Sequence, residues 1–361
     1  MSNSSLHRIR VLVVDDSALV RQAISDALGR DPEIEVVGTA CDPYVAREKI
    51  AHVAPDVITL DLEMPRMDGL TFLKILMEHH PLPVVVISSL TQHGSQAAID
   101  AVEAGAVDVL AKPDGTMSIG SLADKLSFHI KAAAAAAPRL QGRHLKDIAV
   151  PECTQQPSLD SRQIIVIGAS TGGIEALRHI IPHLPDTLPP IAIVQHISSF
   201  FSRAVAERLA EHSRIRVREA GDNEPLHSGE CVLAPGNTHL ALEYQGNHYT
   251  TKLLTTPAIH HCRPAVDVLF RSVAGLAGSH ALAVLLTGMG CDGALGMQSI
   301  RHAGGRTIAQ NEASCVVYGM PRAALEIGVV DKVCSLESIP AEIIKAVLDN
   351  TKRDQEENES P

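Results

Sequence analysis

The chain has 361 residues, 45% of them hydrophobic and 20% charged, and this length exceeds what one domain ordinarily takes. Aromatic residues make up 2% and Trp is absent, so the core has to be built from Val, Ile, Leu and Ala. A formal net charge of −11 argues against nucleic acid or an anionic membrane face as the main partner.

The first element is Arg10-Val-Leu-Val-Val-Asp-Asp16, an apolar run closed by two adjacent acids, which reads as a buried parallel strand. Further apolar runs stand at Ile34–Val37, Val57–Leu60, Val84–Ile87 and Ala106–Leu110, separated by amphipathic segments of helix length. Five such βα units in about 130 residues are the rhythm of a doubly wound parallel sheet. The strand ends carry the chemistry: Asp15 and Asp16 after the first, Asp61 after the third, Ser88 and Ser89 after the fourth, Lys112 and Pro113 after the fifth. Three carboxylates at one sheet edge repel one another unless a cation sits among them, and all-oxygen ligation suits Mg²⁺ with several waters retained. Asp15 and Asp16 could instead cap a helix with Ser17, a reading that Asp61 and Lys112 in register make minor.

Residues 9–130 resemble the response-regulator receiver domain of two-component signalling, through Val14-Asp15-Asp16-Ser17, Leu60-Asp61-Leu-Glu-Met-Pro65 with Met67-Asp-Gly69, Ser88-Ser89 and Lys112-Pro113. The resemblance implies a (βα)5 fold with Asp61 as phosphoacceptor. It also implies Asp16 as a direct Mg²⁺ ligand, Asp15 reaching the metal through water, and the Glu63 backbone carbonyl as a further ligand. Ser88 and Lys112 would meet the phosphoryl group. Many receivers carry an aromatic switch residue three positions before the lysine, whereas Val109 stands here.

Residues 131–161 read as a helix extension and linker: the alanine run 132–137 prolongs the receiver's last helix, Pro138 stops it, and a polar tether follows. Next comes Ile164-Ile-Val-Ile-Gly-Ala-Ser-Thr-Gly-Gly173, a strand that delivers Ser170 to a sharp turn. Its Gly-x-Ser-x-Gly pattern suits a nucleophile elbow, but the glycine-rich stretch Gly168–Gly173 suits a phosphate-cradling loop at a helix start equally well. Two later segments break the tie. Gln195-His196 follows the apolar run Ile191–Val194, and Thr287-Gly-Met-Gly-Cys-Asp-Gly293 follows Ala281–Leu286. Each sits where a parallel strand would end, so Ser170, His196 and Asp292 can converge as nucleophile, base and orienting carboxylate. The order Ser, His, Asp is not that of α/β-hydrolases.

Residues 162–348 are similar to the CheB-type chemotaxis protein-glutamate methylesterase domain. The segments carrying this are Gly168-Ala-Ser-Thr-Gly-Gly173, Gln195-His196, Ala234-Pro-Gly-Asn237 with His239, Arg263-Pro-Ala-Val-Asp-Val-Leu-Phe270, Thr287–Ala294, and Ala309-Gln-Asn-Glu312 leading to Val317-Tyr-Gly-Met-Pro321. The similarity implies a Rossmann-like α/β esterase with Ser170, His196 and Asp292 as catalytic residues and oxyanion support around Thr171 and the Met289 backbone. It implies no cofactor for the esterase. It implies methylated chemoreceptors as substrate, methanol as leaving group, glutamine deamidation as a second activity, and a chemotaxis histidine kinase as phosphodonor. The stretch His196-Ile-Ser-Ser-Phe-Phe201 departs from the Pro- and Gly-containing sequence usual after the family histidine.

A receiver fused to a nucleotide-binding or oxidoreductase domain is the alternative. It would need a glycine at Ile174, and Tyr249 and Lys252 have the wrong spacing for a dehydrogenase pair. His260-His261-Cys262 resembles a metal cluster, yet adjacent residues rarely converge on one ion, and no zinc site is assigned. His239 and His248 read as structural or surface residues. The seven cysteines show no Cys-x-x-Cys spacing, as expected for reduced thiols, and no run reaches the ~18 apolar residues of a membrane span. A cytoplasmic monomer without membrane insertion is expected, with a disordered tail over residues 349–361.

Overall fold

A computed structural model of the chain describes residues 8–89, 91–112, 119–140 and 162–359. The chain divides into two compact units, residues 1–143 and 144–361. The first contains strands β1 (Ile9–Val14), β2 (Ile34–Ala40), β3 (Val57–Leu60), β4 (Val84–Ser88) and β5 (Asp108–Ala111), all parallel in the order β2-β1-β3-β4-β5. Val11–Val14, β3 and β4 are wholly buried. Such strands, covered on both faces, read as continuous apolar runs in sequence. Helix starts are set by short acids: Asp42 accepts from Tyr44 N and Val45 N, and Asp68 from Thr71 N.

The helix Ile119–Leu140 contains the alanine run, as its propensity predicts, but Pro138 does not stop it. A proline removes one backbone hydrogen bond and already has a helical φ, so two residues from the end it disrupts little. Lys131 binds Asp31 at 2.9 Å and Glu33 at 2.8 Å, and Ala132, Ala133 and Ala136 are buried. Receiver packing therefore runs beyond residue 130. Of the tether expected after the stop at Pro138, residues 138–140 belong to this helix and 141–161 lie outside the described residues.

In the second unit come β6 (Ile164–Ala169), β7 (Ile191–Gln195), β8 (Arg216–Glu219), β9 (Pro225–Leu226), β10 (Glu230–Leu233), β11 (His239–Gln245), β12 (His248–Leu254), β13 (Ala281–Leu285), β14 (Arg306–Gln310) and β15 (Lys332–Cys334). Seven of them form one parallel sheet in the order β15-β14-β13-β6-β7-β10-β8. From β6 the chain moves to β7 on one side and later to β13 on the other. The strand order thus reverses at β6, and ligands in open α/β sheets gather at such a point, beyond the carboxyl ends. A separate antiparallel sheet, β11-β12-β9, packs against the helix Val266–Ala277 and was not foreseen from the sequence.

The last helix spans Ile339–Glu359, which corrects the expected disordered tail for residues 349–359. Its anchor is physical. Thr351 and Asn350 are buried, Gln163 Nε2 donates to Thr351 Oγ1 at 3.3 Å, and Thr351 Oγ1 donates to Val347 O at 3.1 Å. Lys, Arg, Gln and Glu, which follow, are all good helix formers. Ending the chain at Asp349 should therefore cost the second unit about 1–3 kcal/mol in urea denaturation, because Gln163 Nε2 is left buried and unpaired. Ending it after Lys352 should cost less than about 0.5 kcal/mol. Equal midpoints for the two truncations would contradict this anchoring.

Candidate active site

Ser170 stands one residue past β6, where the chain must turn sharply into the helix Gly173–Ile180. Gly172 makes that turn with φ 76°, and a Cβ there would lie 2.1 Å from Val316 Cγ2, so glycine is required twice over. Ser170 N donates to Thr287 O at 3.0 Å and Ser170 O accepts from Gly173 N at 2.7 Å, which fixes the backbone. The side chain is held in a site almost closed to solvent, at 2% exposure.

His196 follows β7 directly, and its backbone N–H donates to Ala169 O at 3.0 Å. Gln195, also buried, straps the two strand ends together: its Nε2 donates to Ser170 O at 2.9 Å and to His196 O at 3.2 Å. The imidazole lies between two partners, with Nδ1 3.0 Å from Ser170 Oγ and Nε2 2.7 Å from Asp292 Oδ2. An ionised carboxylate has no proton to give, so in the neutral ring Nε2 carries the hydrogen and Nδ1 is the acceptor. In that tautomer Nδ1 is ready to take the Ser170 hydroxyl proton. The serine, histidine and aspartate singled out in the sequence are thus brought together.

Asp292 is held by more than the histidine. Its Oδ2 accepts from Val266 N at 2.7 Å and its Oδ1 from Asp267 N at 2.9 Å, at the start of the helix Val266–Ala277. The arrangement is reciprocal. Asp267 Oδ1 accepts from Gly293 N at 3.0 Å and Gly296 N at 2.7 Å, at the start of the helix Ala294–His302. Each aspartate caps the helix that the other one begins, and the positive end of a helix dipole faces each buried carboxylate. His260 Nε2 lies 3.3 Å from Asp267 Oδ2. His260, Asp267 and Asp292 offer donor atoms within 4.8 Å of one another; both Asp292 oxygens and Asp267 Oδ1 already accept from backbone N–H groups, while Asp267 Oδ2 faces His260.

Burial works against both charged partners and is outweighed in each. Against desolvation, the His196 hydrogen bond and the two backbone N–H groups hold the Asp292 pKa below its ordinary value. Burial pushes the His196 pKa down, but the Cys262 sulfur and the Asp292 carboxylate overcome this and raise it to about 10. Such an environment favours the imidazolium that forms when the serine gives up its proton.

The residues proposed from sequence as oxyanion support fall beside Ser170. A Cβ on Gly288 would lie 2.6 Å from Ser170 Cβ and 2.3 Å from Met320 Sδ, so only glycine lets the loop carrying Met289 close over the serine. Thr287 stitches that loop down: its Oγ1 donates to Thr171 O at 3.0 Å and accepts from Val316 N and Val317 N, both at 3.0 Å. His239 is buried, with Nδ1 accepting from Ala265 N at 3.1 Å and Nε2 donating to Pro257 O at 3.1 Å, and so has a structural place. His248 Nδ1 lies 3.2 Å from Gly246 O within its own turn.

In the first unit, Asp15 and Asp61 are buried and Asp16 is exposed, and each offers an oxygen within 4.8 Å of the others. Lys112 Nζ lies 2.7 Å from Asp61 Oδ2 and 3.0 Å from Asp15 Oδ2. Burial is the main reason the Asp61 pKa is raised to about 6, with Asp15 adding to it and Lys112 opposing. Acceptor-only oxygens, one of them open to water, fit a hard divalent cation. Glu63 donates its backbone N–H to Asp61 Oδ1 at 3.2 Å. Ser88 Oγ donates to Gly94 O at 3.1 Å, so the hydroxyl must turn from that carbonyl before it can meet a phosphoryl group. Val109 is buried in β5.

Both units match families of known proteins. Residues 165–343 fit the family model described as CheB methylesterase, and residues 11–121 fit the response regulator receiver domain. A protein-glutamate methylesterase/protein-glutamine glutaminase of Syntrophus aciditrophicus is 48% identical over 95% of this chain and 100% of its own length. The one from Pseudomonas aeruginosa is 47% identical over 93% of this chain and 96% of its own. This chain belongs to the CheB methylesterase family. The crystal structure of the Thermotoga maritima CheB methylesterase catalytic domain has 40% sequence identity and a TM-score of 0.50, covering 51% of this chain and 97% of that one. The dinucleotide-loop alternative for Gly168–Gly173 finds no support.

Three functional neighbours in this CheB methylesterase domain were not assigned a role from sequence. Gln195 was quoted only as part of a motif, Asp267 only as part of another, and Cys262 only within a discounted metal cluster. Cys262 Sγ in fact lies 3.4 Å from His196 Nδ1. Nothing in the local sequence announces this, since the two residues are far apart in the chain.

Proton transfer from Ser170 requires neutral His196, whose pKa is raised. The kcat/KM for methyl-ester hydrolysis should therefore climb with pH on the alkaline side of neutrality as the imidazolium deprotonates. Asp292→Asn removes a charge that raises this pKa and should move the limb to lower pH, with a plateau reduced by up to about 10⁴-fold. A pH profile in which the limb stays put or moves upward would contradict the assignment.

Proposed function

We propose that the second unit hydrolyses glutamyl methyl esters on the cytoplasmic helices of methyl-accepting chemotaxis receptors, releasing methanol, and also deamidates receptor glutamines to glutamate. The observation that carries this reading is the single imidazole that joins Ser170 at 3.0 Å to Asp292 at 2.7 Å. Ser170 Oγ attacks the ester carbonyl carbon while its proton passes to His196 Nδ1. Backbone N–H groups at Thr171 and Met289 are assigned to the oxyanion. As the tetrahedral intermediate collapses, His196 returns the proton to the departing methoxide and an acyl-serine remains. Water then attacks, its proton goes to His196, and glutamate leaves as Ser170 regains its hydrogen. With a glutamine side chain, ammonia replaces methanol and the rest is unchanged.

The first unit is the control element. A chemotaxis histidine kinase transfers a phosphoryl group to Asp61; Asp16, Asp61 and the Glu63 carbonyl would hold Mg²⁺ directly, with Asp15 reaching it through water. Bound there, the ion would neutralise phosphoryl charge during transfer. Lys112, already 2.7 Å from Asp61, pairs with the new phosphoryl oxygens, and Ser88 turns to meet another. Val109 leaves no ring to swing, so the Ser88 loop carries the change, and phosphorylation activates the esterase. The protein acts as a cytoplasmic monomer. No helix among the described residues is long and apolar enough to cross a membrane.

Two measurements test this function. Ser170→Ala should lower methanol release from methylated receptor membranes by several orders of magnitude, since removing a triad serine can cost ~10⁶-fold. Retention of more than about a tenth of wild-type activity would exclude the serine as nucleophile. Separately, a small phosphodonor with Mg²⁺ should stimulate methanol release by the full chain, and Asp61→Asn should abolish both the stimulation and a base-labile acyl phosphate. Phosphate retained in Asp61→Asn, or incorporation indifferent to EDTA, would place the acceptor elsewhere.

A further inference from the structure

Ser170 is not the only side chain within reach of His196 Nδ1. Cys262 Sγ stands 3.4 Å from the same Nδ1 that lies 3.0 Å from Ser170 Oγ, so in the neutral ring a thiol and a hydroxyl compete for one lone pair. The thiol is held there by a tight hairpin. Ile259 N donates to Cys262 O at 3.0 Å and Cys262 N to Ile259 O at 2.8 Å, with His260 and His261 between them at φ 51° and 62°. Cys262 is only partly buried, whereas Cys231 and Cys315 are fully so.

We infer that Cys262 is a second nucleophile of the esterase site, activated by the base it shares with Ser170, and that its alkylation or oxidation shuts the esterase. This rests on the proposed function for its consequence but not for its chemistry. The thiol proton passes to His196 Nδ1 while sulfur attacks an electrophile. With an alkyl halide an S–C bond forms, the carbon–halogen bond breaks and halide leaves with the electron pair. With a peroxide an S–O bond forms, the O–O bond breaks, and the departing hydroxide takes the His196 proton as water, leaving a sulfenic acid. An imidazole beside a thiol is the usual means of making it reactive, and a group added to this sulfur would sit against the nitrogen that Ser170 needs.

The other described cysteines stand in different surroundings. Cys41 Sγ faces a carboxylate oxygen of Asp42 at 3.6 Å and Cys315 Sγ the Gln310 carbonyl at 3.9 Å. Cys231 and Cys334 have thiols pushed up by burial. Cys291 lies 3.9 Å from His260 Nδ1, but burial and the charges of Asp267 and Asp292 push its thiol up as well. Among these residues Cys262 combines access, a base within reach and a place in the catalytic site.

The test is alkylation of the full chain with iodoacetamide, read residue by residue by mass spectrometry, with exposed Cys41 as the internal control for folding. Cys262 should react faster than Cys41, and His196→Gln should slow Cys262 roughly tenfold or more while leaving Cys41 unchanged. Ser170→Ala, which frees Nδ1, should not slow Cys262. Equal labelling of Cys262 in wild type and His196→Gln, or labelling no faster than Cys41, would overturn the inference whatever the enzyme's substrate is. In a parallel arm, iodoacetamide should abolish methanol release by wild type, while Cys262→Ala should resist it. Loss of activity at the same rate in Cys262→Ala would equally overturn the inference.

Discussion

The esterase site depends on one exchange of hydrogen bonds, in which Asp292 caps the helix beginning at Val266 and Asp267 caps the helix beginning at Ala294. Two carboxylates buried close together would ordinarily repel, and one would take up a proton. Here each faces the unpaired N–H groups of a helix start, which favour negative charge and are themselves costly to leave unsatisfied. The exchange also fixes distance. Asp292 cannot move without uncapping a helix, so His196 receives a carboxylate in one orientation and is locked in the tautomer that serves Ser170. Geometry built this way costs no reorganisation when the reaction begins.

The sheet supplies the rest of the positioning. β13, β6 and β7 are neighbours, so the loops that follow them emerge side by side and bring Asp292, Ser170 and His196 to one edge. Gly288 permits the Met289 loop to lie against the serine, while Thr287, Gln310 and Gln195 tie the loops to one another through side-chain hydrogen bonds to backbone. The receiver repeats this plan in smaller form. The ends of β1, β3 and β5 carry Asp15, Asp61 and Lys112, and the ion pairs among them set the environment of Asp61.

Much of this is legible in the sequence because buried parallel strands leave continuous apolar runs and because their chemistry follows directly at their ends. The runs before Asp15, Asp61, Ser170 and His196 each mark a strand that the structure contains. Ser170 alone was ambiguous, since a glycine-rich turn serves a phosphate as well as it serves a nucleophile. Only His196 and Asp292, at equivalent strand ends, separated the two readings. What was not legible is what depends on proximity between distant segments. Asp267 becomes a cap only through Gly293 and Gly296, and Cys262 becomes a neighbour of the base only through the fold of its hairpin. The β11-β12-β9 sheet escaped notice because β9 has two residues and β12 is mixed in polarity. Pro138 and the tail were misjudged by local rules. Packing of the alanines and burial of Thr351 outweighed them.

The central claim is that one imidazole, protonated on Nε2 toward Asp292, presents Nδ1 to Ser170. Nitrogen-15 NMR of the histidine ring tests it most directly. The account predicts a strongly downfield proton resonance coupled to Nε2 of His196, lost in Asp292→Asn and retained in Ser170→Ala. A neutral ring whose proton resides on Nδ1, or a downfield signal indifferent to Asp292, would contradict it.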